Sequence, residues 1–288
     1  MDAKQIILLA LQASIFLTVF SFGLEARFSD ILSIVRRPGM LARALLAMFV
    51  IMPLVAVLIV SNVDLRPPVK VVLVALSVSP IPPLFPRQAS MAGGRRAFTL
   101  GLLDTAALLS IVVVPLALLV LNRYFNLPLA MPFSAVAGLA LKTVLLPMLA
   151  GMVFHAVAPA VAERIAKPVS TIATVLLAAG SLVILFVTAR GMWTLIGNGT
   201  ILAMAAFAAL GLLTGHLLGG PDPHERSVLA LSTAVRHPGI ALALATANFP
   251  NQLLQLPAVL LYVLVGAMVC VPYAIRQGRR VAATAPTA

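Results

Sequence analysis

The stretch Ser77-Val78-Ser79-Pro80-Ile81-Pro82-Pro83-Leu84-Phe85-Pro86-Arg87-Gln88-Ala89-Ser90-Met91-Ala92-Gly93-Gly94 interrupts an otherwise apolar run. Four of the seven positions from 80 to 86 are proline. Each proline lacks an N–H and clashes with the carbonyl four residues back. The residue before each is pushed out of the helical region. The stretch therefore predicts a helix ending near Ser79, an extended segment through Pro80, Pro82 and Pro83, and then a short half-helix. Pro86 suits the first turn of that half-helix, and Gly93 or Gly94 its C-terminal cap.

A second damaged run reads Leu231-Ser232-Thr233-Ala234-Val235-Arg236-His237-Pro238-Gly239-Ile240-Ala241-Leu242-Ala243-Leu244. Pro238 breaks it near the middle and frees the carbonyl of Ala234. A half-helix, Gly239–Asn248, follows. Bare backbone at membrane depth survives where protein or a watery cavity surrounds it. Interrupted spans at corresponding positions of two halves point to a transporter site.

Working outward, runs near 20 residues match about 30 Å of hydrocarbon. The candidates are Gln5–Gly23, Met40–Ser61, Val69–Ala92, Arg96–Leu121, Pro132–His155, Pro168–Thr188, Gly197–Leu218, Arg226–Asn248 and Leu254–Ala274. The first is read as a retained span and not a signal peptide, since it exceeds the usual h-region. About nine spans result. Two inverted repeats, with spans one to four matching six to nine, pair the broken third span with the broken eighth. The division is 1–126 for the first repeat, 127–278 for the second and 279–288 for a disordered tail.

Composition agrees. Of 288 residues, 61% are hydrophobic and 10% charged, and mean hydropathy is +1.10. Too little polar surface exists to coat a water-soluble fold. The expected class is an all-α polytopic membrane protein. The net charge of +12 would suggest nucleic acid in a soluble chain. Here topology accounts for it. Arg27, Arg36, Arg37, Arg95, Arg96, Arg164, Lys167, Arg226, Arg276, Arg279 and Arg280 fall on one face of the nine-span layout. Lys4, Arg66, Lys70, Arg123 and Arg190 fall on the other. The bias places the N-terminus outside and the C-terminus in the cytoplasm, in the cytoplasmic (inner) membrane. Residues Glu25–Pro38 alternate apolar and charged and suit the interface. Membrane lipid is thus an expected partner, and no nucleic acid is.

Charges inside spans are expensive, about 2.5–3.5 kcal/mol for a central arginine on insertion scales. Arg236 sits mid-span beside a break, which favours function. Arg87 lies nearer an end. Asp104 lies roughly 12 Å into its span at 1.5 Å per residue. It pairs with Arg236, Arg87 or Lys142, or it carries a proton. His237 titrates near neutrality and is a second candidate for coupling. Arginines at both breaks suggest a small organic anion, bound by Arg236, His237, Ser232, Thr233, Arg87 and Gln88. No His/Asp/Glu cluster has metal-ligand spacing. No HExxH, GxSxG or phosphate-cradling loop appears, so an enzyme has little to build on and no cofactor is expected. Cys270 reads as a small buried hydrophobe.

The chain resembles the bile acid:sodium symporter superfamily. The resemblance rests on Phe22-Gly23-Leu24, Arg37-Pro38, Phe49-Val50-Ile51-Met52-Pro53-Leu54, the proline-rich break with Ala92-Gly93, Val144-Leu145-Leu146-Pro147-Met148-Leu149-Ala150-Gly151 and Arg236-His237-Pro238-Gly239-Ile240-Ala241-Leu242-Ala243. It implies a core domain and a panel domain, with two broken helices crossing at the substrate and ion sites. It also implies a known nine-span version that lacks the first helix of the first repeat. The departures matter. Where the family carries a glutamate and, four residues on, a Gln-Asn pair, this chain has Ser232, Arg236 and His237. Met48 stands where the family often has glutamine. Pro86, Thr99 and Leu103 replace mostly polar residues. The sodium ligands of the family are largely absent.

The expected function is a secondary transporter of a small organic anion working by alternating access, sodium-independent or proton-linked. Na+ or H+ remains the coupling ion to decide. A sodium-coupled symporter is the main alternative. A non-transporting sensor or scaffold is the alternative from another class. The oligomeric state is not legible.

Overall fold

The computed structural model describes residues 3–26, 34, 36–126 and 129–284. Every regular element among them is helical. In chain order these are α1 (Ala3–Gly23), α2 (Pro38–Asn62), α3 (Pro67–Val78), α4 (Phe85–Met91), α5 (Arg96–Phe125) and α6 (Phe133–Val157). They continue as α7 (Pro159–Leu195), α8 (Thr200–Leu218), α9 (Pro223–Ala234), α10 (Pro238–Asn248) and α11 (Gln255–Thr284). Counting Pro223–Asn248 as one segment, seven helices among the described residues are long and apolar enough to cross a membrane. Leu9–Gly23 and Pro67–Val78 are shorter apolar helices. The outer surface is apolar too. Phe186, Trp193, Leu202, Leu217 and Met268 are each more than 70% exposed, which suits hydrocarbon and not water.

The first break forms as the prolines dictate. The chain is extended at Ser79, and Pro86 sits in the first turn of α4. The end of α4 is a Schellman cap. Gly94 N–H donates to Ala89 O at 2.8 Å and Gly93 N–H to Ser90 O at 3.0 Å. Gly93 has φ +75°, a left-handed conformation that glycine adopts freely. At the second break α9 ends at Ala234, and α10 starts at Pro238. The two breaks meet: His237 N–H donates to Pro80 O at 2.9 Å. The carbonyl of Ala234, freed by Pro238, accepts from Tyr262 Oη at 2.7 Å.

Two further prolines bend the ladder without breaking it. Ahead of Pro53 and Pro147 the helices widen into π turns, Ala47–Ile51 and Leu141–Leu145. The extra residue absorbs the clash of the ring with the preceding turn. Met52 N–H then reaches Ala47 O, and Leu146 N–H reaches Leu141 O. The next carbonyl of each turn, that of Met48 or Lys142, would need an N–H that proline does not have.

α1 packs between α6 and α7. Glycine makes the contact with α6 close: a Cβ on Gly151 would sit 2.4 Å from Phe20 O. The remaining helices pack around the breaks, with α8 lying along α9. There a Cβ on Gly215 would sit 2.3 Å from Leu229 O. Small residues at this spacing let backbones approach, as in membrane helix pairs.

Charged connectors gather at one end. Arg37 pairs with Glu225, Arg95 with Asp222 at 3.0 Å, and Arg96 with Glu25. These residues come from three separate connections, and the charge bias assigns the arginines of all three to one face. Lys70 and Asp64, 3.8 Å apart, belong to the opposite face in that layout.

Two expectations change. The tail is helical through Thr284 and not disordered from 279. Val281 is buried in the space beside Gly93, where a Cβ would meet it at 2.9 Å, and this contact holds the last turn. α7 runs from Pro159 to Leu195, well beyond 168–188. Pro168 costs little there, because the carbonyl it leaves bare belongs to exposed Arg164. The amphipathic stretch expected within Glu25–Pro38 falls largely on residues outside those described.

Three substitutions test this arrangement. Gly215→Leu forces α8 off α9 and lowers the thermal unfolding temperature in detergent, an overpacking cost of about 1–3 kcal/mol. Gly138→Ala, where a Cβ meets nothing within 4 Å, leaves that temperature nearly unchanged. Tyr262→Phe leaves the Ala234 carbonyl bare and costs about 1–2 kcal/mol in the same assay.

Candidate functional site

The crossing of the two breaks is built around Arg236. The residue is 2% exposed, yet no carboxylate among the described residues partners it. Its Nη1 donates to Ser79 O at 3.2 Å and its Nη2 to Met48 O at 3.0 Å. Both acceptors are carbonyls stripped of helical partners, one by the first break and the other by the π turn before Pro53. The guanidinium therefore fastens α2, the first break and the second break together. Its Nε is buried and has no partner among the described residues.

His237, 5% exposed, caps α10. Its Nδ1 accepts from Ile240 N–H at 3.3 Å. That leaves the ring proton on Nε2, which faces Thr143 Oγ1 at 3.4 Å. The Thr143 hydroxyl itself donates to Leu139 O, so its oxygen is open to accept. The π turn of α6 thus meets the crossing from one side and the π turn of α2 from the other.

Two cavities flank this centre. One, of about 140 Å³, lies between α4, the second break and α11 and is lined by Gln88, Arg236, Pro238, Tyr262 and Cys270 among apolar neighbours. The Gln88 Oε1 is buried and without a partner among the described residues. Two lining residues of the cavity, Arg236 and Gln88, thus each keep a buried polar atom, Nε and Oε1, without a partner among the described residues. The amide of Gln88 offers an N–H equally well if turned over. The second cavity, of about 340 Å³, separates α4 and α5 from α1 and α7 and is lined by Glu25, Arg87, Ser90, Arg96, Thr99 and Ser170. Arg87 crosses it, donating to Ser170 O at 3.2 Å and to Ser170 Oγ at 3.3 Å. Arg87 and Gln88 are neighbours on α4 but serve different cavities.

The remaining expected residues divide. Ser232 and Thr233 are fully buried, and both hydroxyls donate back to Leu229 O, at 3.0 and 2.7 Å; neither lines either of these two cavities. Asp104 is 2% exposed. Both its oxygens are buried without a hydrogen-bond partner among the described residues. The expected pairing with Arg236, Arg87 or Lys142 is therefore not made. Arg236 donates its Nη1 and Nη2 to carbonyls, Arg87 donates to Ser170, and Lys142 is exposed. Pro80 accepts the backbone bond from His237. Pro82 and Pro238 line the smaller cavity, and Pro86 the larger one. Gly239 lies against the His237 ring. No group of three or more His, Cys, Asp or Glu side chains among the described residues is placed to hold a metal ion.

Residues that sequence reasoning missed are Met48, by its carbonyl, and Tyr262, Thr143 and Ser170. A signal existed for the first: Pro53 inside a span announces a bare carbonyl nearby. Tyr262, Thr143 and Ser170 lie on ordinary helical stretches and carry no local mark.

Over residues 13–195 the chain matches the family described as the sodium bile acid symporter family. It is 24% identical over 237 residues to an uncharacterized sodium-dependent transporter, YocS, of Bacillus subtilis (strain 168), covering 80% of this chain and 72% of that protein. With the match spanning more than half of its length, the chain belongs to the sodium bile acid symporter family.

Proposed function

We propose that this protein is a secondary transporter that moves a small organic anion across the cytoplasmic membrane by alternating access, with Arg236 in place of a bound sodium ion. The observation that carries the reading is the position of that guanidinium. Sodium is held by several oxygen ligands, and bare carbonyls at helix breaks are the natural source of them. Here the Ser79 and Met48 carbonyls are already spent on Arg236. A fixed positive charge does the electrostatic work of a movable one. The remaining donor at Nε, together with Gln88, suits an acidic head group in the smaller cavity. Arg87 offers a second cation in the larger one.

In this reading the chain crosses the bilayer nine times, with each broken pair counted once. The N-terminus is outside and the C-terminus in the cytoplasm. Residues 1–126 and 127–278 form the inverted repeats. α1, α6 and α7 form the panel, and the other helices form the core that moves against it. The larger cavity lies on that boundary, and the Arg87–Ser170 contacts cross it. Coupling falls to Asp104, whose two buried oxygens have nothing but a proton to neutralise them. His237 serves α10 as a cap, and a proton on Nδ1 would remove the acceptor for Ile240 N–H.

One observation favours a second reading. The Bacillus relative is named sodium-dependent, and a sodium-coupled symporter would draw its ligands from other backbone carbonyls at the breaks.

Uptake of radiolabelled small organic anions into proteoliposomes separates the two. Uptake persists when choline replaces sodium; a loss of more than tenfold means sodium coupling. Arg236→Ala abolishes uptake of every anionic substrate, and intact transport of any of them removes the arginine from the site. Binding without uptake in these vesicles marks a sensor. In wild-type vesicles an inward proton gradient stimulates uptake, and Asp104→Asn removes that stimulation while the protein stays folded. An unchanged gradient response in Asp104→Asn excludes this carboxyl as the proton carrier.

A further inference from the structure

The arginine-rich end of α11 carries a feature that transport does not use. Arg276, Arg279 and Arg280 fall within little more than one helical turn, and all three are exposed. They border two adjoining grooves of about 530 and 320 Å³, which share Arg276 and Arg280. The first groove is floored by Val271, Pro272 and Ile275. The second is floored by Leu212 and Leu213 of α8, and its polar rim includes His216 and Tyr273. His216 Nδ1 and Tyr273 Oη lie 2.7 Å apart. Neither groove has an acidic residue in its lining.

The order along the helix is informative. At 1.5 Å per residue, Arg280 stands roughly 13 Å above Val271 along the axis. Each groove therefore runs from an apolar floor to a cationic rim over about the depth that separates upper acyl carbons from a headgroup. The preference of basic residues for one face of the membrane explains why arginines occur here. It does not explain why they converge on grooves whose lower walls are aliphatic. Basic pockets between membrane helices at this level hold anionic headgroups. A free phosphate would use the rim and leave the floor idle.

We propose that the α8–α11 grooves form a binding site for one anionic phospholipid of the cytoplasmic leaflet. Arg276 and Arg280 hold its phosphate, and the acyl chains lie on Val271, Ile275, Leu212 and Leu213. The site rests on the membrane orientation given above and is independent of what the protein carries.

Thermal unfolding of the purified, delipidated protein tests it, with phosphatidylglycerol, phosphatidylcholine or millimolar inorganic phosphate added back. Phosphatidylglycerol raises the unfolding temperature by several degrees, while phosphatidylcholine and phosphate do not. The increment is lost in the Arg276→Gln, Arg280→Gln double variant and kept in Arg164→Gln, a change on α7. Native mass spectrometry adds an independent readout: wild type retains one phosphatidylglycerol that Arg276→Gln alone releases. An equal increment and equal retention in the variants overturn the site. Stabilisation by phosphate alone assigns the arginines to a free anion and overturns the lipid.

Discussion

Every backbone polar group that leaves a helix within the hydrocarbon must find a partner inside the protein. This chain interrupts its helices at membrane depth twice and widens them into π turns twice. The structure is organised by how those debts are met. Pro80 O takes the His237 N–H, and Ala234 O takes the Tyr262 hydroxyl. Ser79 O and Met48 O take the two ends of one guanidinium. The crossing of the breaks is therefore a place where each element supplies what another lacks. Its geometry fixes α2, α3, α9, α10 and α11 relative to one another.

That arrangement bears directly on the chemistry of the centre. A cluster of bare carbonyls is an incipient cation site, and a mobile ion or a fixed charge can fill it. Arg236 fills it permanently and without a carboxylate, so the positive charge is balanced by dipoles alone. A full positive charge among dipoles leaves the region electropositive, the environment in which an acidic substrate gains most. Asp104, buried without a partner on α5, is the complementary oddity. Ionisable groups buried in the core without an ion-pair partner are costly, and Arg236 and Asp104 are two such groups among the described residues.

The charged end of the bundle follows the same economy. Ion pairs there join connectors far apart in the chain, while the arginines of α11 face grooves with aliphatic floors. Arg87 and Arg96 instead reach across to α7 and to the end of α1.

Much of this was legible in the residues. Proline positions located both breaks and the start of α4. The apolar runs located the spans, and the charge distribution grouped the connectors that in fact pair with one another. These are local properties: a missing N–H, a ring clash or an excess of apolar surface acts wherever the chain goes. Partners were not legible. The carbonyls that hold Arg236 lie 157 and 188 residues away in the chain, and of the two roles open to Asp104 in the sequence, pairing with a cation or carrying a proton, the pairing is not made among the described residues. Ser232 and Thr233 turned back to their own helix, and the last turn of α11 was ordered by a contact with Gly93. The sequence by itself determined where helices must stop and that the result lives in a membrane. Which groups satisfy the exposed ends was decided by tertiary structure alone, because a hydrogen bond depends on distances of about 3 Å that only packing sets.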